Sequence, residues 1–145
     1  MAKYRFENTP PERSENMRRI RGKDTKPELV LRRALWTRGL RGYRLHRKDI
    51  AGTPDITFPA HRLAIFIDGS FWHGHDWVTR RDKLRTNKEY WIPKIERNML
   101  KDEAVNYTLM YRDWRVLRYW DFEVMRQTDR LVAEIAAALG KTNCL

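Results

Sequence analysis

The sequence predicts an α/β fold in which one central sheet is covered by helices on both faces. Three observations predict it. Short β-branched and aromatic runs of strand length alternate with longer stretches of helical period. The most apolar run, Arg62 to Asp68 (RLAIFID), leaves no face for solvent and belongs in the middle of a sheet. A chain of 145 residues is large enough for one core and too short for two of ordinary size. A sheet buried on both sides needs helices on both, within one domain spanning 1–145.

The elements follow in order. Residues 1–22, with Pro10 and Pro11 among polar neighbours, read as an N-terminal arm that ends in a short basic helix near Ser14 to Arg21. Its Arg18, Arg19 and Arg21 suit an arm laid on DNA; a solvated arm is the other reading. Thr25-Lys26-Pro27-Glu28 has the pattern of a capping box with proline in the first turn, and predicts a helix to about Arg38, closed by Gly39. Two strands follow, Tyr43 to Arg47 and Asp55 to Phe58, separated by the turn-rich AGTP, and Arg62 to Asp68 is the third. A second helix runs from Glu89 or Tyr90 to Tyr111, with Ile92, Ile95, Met99, Val105 and Leu109 along one face and Pro93 at or just past its first turn. Trp114 to Trp120 is a fourth strand, and a last helix opens at Asp121 or Thr128 and ends at Gly140. There is no internal repeat and no low-complexity tract.

Composition narrows the function. Thirty lysines and arginines against 19 acidic residues leave a net charge of +11, which favours a polyanionic partner. The single cysteine, Cys144, excludes an internal disulfide and a multi-cysteine zinc site. No run approaches the ~20 apolar residues of a membrane helix, and the N-terminus lacks the apolar core of a secretory signal, so a cytoplasmic protein on the nucleoid is expected.

Chemistry concentrates around the central strands. Asp55 opens one strand and Asp68 ends the next, so a hairpin sets the two ends side by side and lets both carboxylates face one divalent cation. Hard oxygen ligands suit magnesium, which polarises a phosphodiester and activates its attacking water. Each aspartate also has a local reading: Asp55 as a turn residue after proline, Asp68 as the Asp-Gly turn that closes a strand. Next comes GSFWHGHDW, in which Phe71 and Trp72 either stack on bases or pack under their loop, and His73 suits a general base for water.

With these residues in view, the chain resembles the very-short-patch repair endonucleases, which nick DNA at a thymine-guanine mismatch. The likeness runs from ERSENMRRIRGKDTKPELVLRRAL through RLHRKDIAGTPDI and IFIDGSFWHGHDW to TNKEYWIPKIERN and WRVLRYW, several long motifs in one order. It implies a restriction-endonuclease-like core, with Asp55 as metal ligand, the main-chain carbonyl of Ile67 as its companion and His73 as the water-activating histidine. Glu28 matches an acidic residue close to the centre, Phe71, Trp72 and Trp91 match an aromatic wedge that opens the helix beside the mismatch, and Met17 matches a residue reaching DNA from the minor-groove side. Wedging costs a few kcal/mol of unstacking, less at a mismatched step.

Two departures from the family stand out. Members often brace the loop with zinc held by three cysteines and a histidine, whereas this chain has Ser70, Trp77 and Phe122 at the cysteine positions and keeps only His75, so no structural zinc is expected. The other is Asp68, a carboxylate beside the metal. The leading expectation is therefore a magnesium-dependent endonuclease that nicks one strand of double-stranded DNA at or near a T:G mismatch, as a monomer, with a repair helper protein as a possible partner. A homing or restriction-type enzyme cutting matched duplex, and a mismatch-binding module without catalysis, are the alternatives.

Overall fold

The computed structural model describes residues 24–141; the arm, with Met17, Arg18, Arg19 and Arg21, lies outside the described residues. Helix α1 (Lys26–Thr37) leads to strands β1 (Arg44–Leu45), β2 (Ile56–Phe58) and β3 (Leu63–Asp68). The short helix α2 (Trp77–Arg81) and the long helix α3 (Lys88–Tyr111) follow, then β4 (Arg115–Trp120), α4 (Asp121–Arg126) and α5 (Thr128–Ala138). The strands form one mixed sheet in the order β1-β2-β3-β4, antiparallel except for the parallel pair β3–β4. A parallel pair needs a long crossover, and the segment carrying α3 supplies it.

Strand alternation divides the core in two. Leu63 and Ile65 of β3, with Ile56, Phe58 and Tyr119, meet Leu31 and Leu35 of α1 and Leu131, Val132 and Ile135 of α5. Ala64 and Phe66 of the same strand point the other way, onto Leu109 and Val105 of α3. Both faces of β3 are therefore covered, as its unbroken apolar run requires. A third cluster, built on Trp77, Trp91 and Ile95, joins α2 and the start of α3 to the loop after β3.

Several boundaries differ from those read in the sequence, each for a local reason. β1 shrinks to two exposed residues because His46 turns the backbone into the left-handed region at φ 48°. The capping box is not formed: Thr25 makes no side-chain cap bond, and Glu28 accepts the N–H of Asp24 instead, at 2.9 Å. The C-terminal helix is two helices, broken at Gln127 with φ −133°. α2 interrupts a stretch with no expected helix, and the buried Trp77 anchors it.

Candidate active site

Asp55 stands one residue ahead of β2, where the turn through Gly52 delivers it to the end of the sheet. Gly52 has φ +78°, and a Cβ there would lie 2.5 Å from Val105 Cγ1, so the turn sits directly against α3. The Asp55 carboxylate accepts the main-chain N–H of Ile67 across the hairpin, at 2.7 Å, and its carbonyl accepts the N–H of His46 at 3.3 Å. Glu28 arrives from α1, almost fully buried, and binds Arg32 at 3.2 Å and His46 Nε2 at 2.9 Å. Burial pushes the Asp55 pKa up to about 7; the Ile67 N–H opposes the rise, while Glu28, by charge and hydrogen bonding, and the charge of Asp68 add to it. Asp55, beside the carboxylate of Glu28 in a sheltered site, forms with it a hard-oxygen donor set, and this fits a divalent cation of the magnesium type.

Asp68 ends β3 on the face shared with Phe66 and looks toward α3 rather than toward Asp55 alone. Both of its oxygens lie 3.1 Å from Arg118 Nη1, and its Oδ1 is 3.9 Å from His73 Nδ1. The expected arrangement, with Asp55 and Asp68 both facing a cation, therefore meets a competing one in which a guanidinium already occupies Asp68. His73 Nδ1 bonds Asp102 Oδ2 at 2.6 Å. Burial alone would depress the His73 pKa, but the hydrogen bond to Asp102 and the charges of Asp68 and Asp102 outweigh it, and the net shift is upward. Asp68 itself is shifted up, by burial first, against the opposing charges of Arg118 and His73.

Asp102 was not singled out in the sequence, where only the apolar face of its helix was read. A signal was present: Asn98, Asp102 and Asn106 recur every four residues and line one stripe of α3. All three serve the site. Asn98 donates to the carbonyl of Trp72 at 3.0 Å, Asp102 holds His73, and Asn106 accepts from Arg118 Nε at 2.6 Å.

The loop after β3 is pinned from several sides. His73 and His75 donate their N–H groups to the carbonyls of Gly69 and Ser70, at 3.0 and 3.1 Å. Arg80 of α2 reaches back with both arms, to the carbonyls of Ser70 at 2.7 Å and Phe71 at 3.1 Å. Gly74 adopts φ +76°, with Met99 pressed so close that a Cβ would stand 2.4 Å from its sulfur. The positions that the resemblance assigns to cysteines are taken up by packing: Trp77 is buried, and His75 meets Phe122 and Trp120 edge-on, ring centroids 4.7 and 5.0 Å away.

Phe71, Trp72 and Trp91 come together, with mutually edge-on rings at 5.0–5.3 Å. Their exposure differs. Trp91 is 5% exposed and anchors the cluster from α3, whereas Phe71 and Trp72 are half-buried at its rim. Lys94 lies over the Trp72 ring at 5.0 Å, and the indole Nε1 of Trp72 has no hydrogen-bond partner among the described residues. The structure thus gathers Asp55, Glu28 and Ile67 at one side, Asp68 and His73 at the other, and the aromatic rim beside them. The Asp55–Ile67 hydrogen bond joins the two sides through adjacent residues of β3.

Residues 7–79 match the family model described as DNA mismatch endonuclease Vsr. The chain is 43% identical over 132 residues to the type II nicking enzyme V.HpaIIP of Haemophilus parainfluenzae, covering 90% of this chain and 93% of the relative. It is 41% identical over 131 residues to the type II nicking enzyme V.NmeDIP of Neisseria meningitidis serogroup C, covering 90% and 88%. To the DNA mismatch endonuclease Vsr of Escherichia coli strain K12 it is 34% identical over 123 residues, covering 84% and 76%.

Proposed function

This chain belongs to the Vsr family of DNA mismatch endonucleases, and from that premise we propose that it nicks one strand of duplex DNA at or near a T:G mismatch in a magnesium-dependent reaction. The observation that carries the reading is the His73–Asp102 pair at 2.6 Å, set one loop beyond the strand end where Ile67 meets Asp55.

Asp55 and the main-chain carbonyl of Ile67 would hold the cation, with Glu28 close behind Asp55. Bound there, magnesium supplies positive charge to the phosphodiester oxygens and favours ionisation of water. The remaining chemistry falls to the chain's own groups. With Nδ1–H donating to Asp102, the neutral imidazole of His73 presents Nε2 as an acceptor. It takes a proton from water as the water oxygen bonds to phosphorus and a bridging P–O bond breaks. Asp102 fixes the tautomer and stabilises the imidazolium that results, the task of the third member in triad-type sites. The departing oxygen collects a proton from solvent.

Phe71 and Trp72, held at the rim over Trp91, are the wedge. An ammonium stacked over the half-buried Trp72 ring suits a surface that gains a nucleic-acid partner. One site per chain accounts for a single-strand cut, so a monomer suffices. The test is nicking of matched and T:G-mismatched duplexes with magnesium present. Faster cutting of the mismatched duplex, abolished by chelator and by Asp55→Asn, is the expected result. Equal cutting of matched DNA would remove the mismatch preference, and cutting by the Asp55→Asn protein would remove the mechanism.

A further inference from the structure

Arg118 is a cation among apolar neighbours on β4, with its guanidinium largely buried and its charge spread over four contacts. Nε donates to Asn106 at 2.6 Å, Nη1 to both Asp68 oxygens at 3.1 Å, and Nη2 to the carbonyl of Asp102 at 3.4 Å. Nη1 also lies 3.7 Å from the Asp102 carboxylate, and the guanidinium stacks on the Phe66 ring at 4.0 Å. One side chain thus spans β4, the end of β3 and a full turn of α3. It does so around the carboxylate that orients His73.

We propose that Arg118 is a positioning residue for strand cleavage: it clamps Asp68 and the Asp102 turn of α3 into one unit that holds His73, and in doing so makes Asp68 part of the histidine's support rather than a cation ligand. The proposal rests on the nuclease reading above. Its physical basis is that Asp68 and Asp102 bring like charges to the same nitrogen of His73, Nδ1, at 3.9 and 2.6 Å, and would separate without a shared counter-charge. A planar fork can bind both, and Asn106, at fixed distances. An ammonium is a single point charge and cannot reach all three groups together.

The test compares Arg118→Met, Arg118→Lys and Asp68→Asn with the unaltered protein and with Asp55→Asn. Single-turnover nicking of a T:G-mismatched duplex is followed as magnesium is titrated, DNA affinity is measured in chelator, and unfolding temperature is recorded. Arg118→Met and Asp68→Asn are expected to slow nicking by about 10- to 100-fold, as misplacement of a catalytic group does, with DNA affinity held within about twofold. Asp68→Asn keeps the magnesium midpoint of the unaltered protein, while Asp55→Asn does not nick. Arg118→Lys recovers the unfolding temperature but not the rate, which separates orientation from charge balance.

A magnesium midpoint moved about tenfold or more by Asp68→Asn, a loss typical of a disturbed metal site, would make Asp68 a ligand and overturn the proposal. So would an Arg118→Lys protein that nicks at the original rate. If Arg118→Met does not fold, the other two variants still decide the matter. Nicking that survives Asp55→Asn would instead bring down the nuclease mechanism itself, and the role of Arg118 with it.

Discussion

Replacing Asp102 by Asn removes one charge from the site while keeping the shape of the side chain. The bond at stake is short and charge-assisted, 2.6 Å long between side chains only 29% and 22% exposed. Hydrogen bonds to charged groups contribute about 1.5–3 kcal/mol. If that stabilisation is felt mainly when His73 becomes an imidazolium, nicking slows by roughly 10- to 150-fold, at about 1.4 kcal/mol per factor of ten.

The pH dependence of the same variant gives an independent readout. A general base must be neutral to act, so activity is lost as pH falls through the His73 pKa, and that pKa lies above its ordinary value of 6.5. Asp102 raises it, so the acid limb of the Asp102→Asn profile moves to lower pH even as the maximal rate falls. Single-turnover nicking over a pH series with magnesium saturating measures both. An unchanged rate, or an acid limb displaced upward, would refute the role given to the dyad.

Two further outcomes follow from the same geometry. The folded-state pKa of Asp55, about 7, lies above the ordinary carboxylate value of 3.8, so the fold favours its protonated form. That contribution is whole below the unfolded pKa and is lost as pH rises through the folded one. In chelator, the unfolding temperature is expected to fall between these pH values, and Asp55→Asn should flatten the slope and leave the protein more stable at about pH 8; a steep slope in the variant would assign the effect to another group. Arg80→Met removes both bonds to the Ser70 and Phe71 carbonyls and is expected to cost about 1.5–3 kcal/mol. Proteolysis within residues 70–76 and weaker DNA binding should accompany the loss, whereas a resistant loop with full affinity would show that packing alone suffices.

How much could be read in advance differs from one residue to another. Ile65 and Phe66 were expected inside because their strand is apolar throughout, and Leu109 because it recurs along one face of its helix, since apolar spacing records which side of an element faces inward. Asp55 and His73 were singled out by their places at a strand end and in an aromatic loop, Glu28 through the family resemblance, and the central place of RLAIFID in the sheet followed from its unbroken apolar character. Even the half-buried state of Phe71 and Trp72 was one of two readings their loop allowed.

Asp102, Asn106 and Arg118 were not identifiable in the same way, and neither was the engagement of Asp68. Asp102 is 29 residues from His73, and Arg118 is 50 from Asp68. Local pattern carries no information about which distant charges will share a desolvated space. The chain alone therefore dictates its central strands, its long helices and its polyanion-seeking charge. The packing of α3 across β3 and β4 determines which carboxylate serves the histidine and which is held by arginine, because both the strength of such pairs and their cost of burial depend on distances that exist only once the helix has docked.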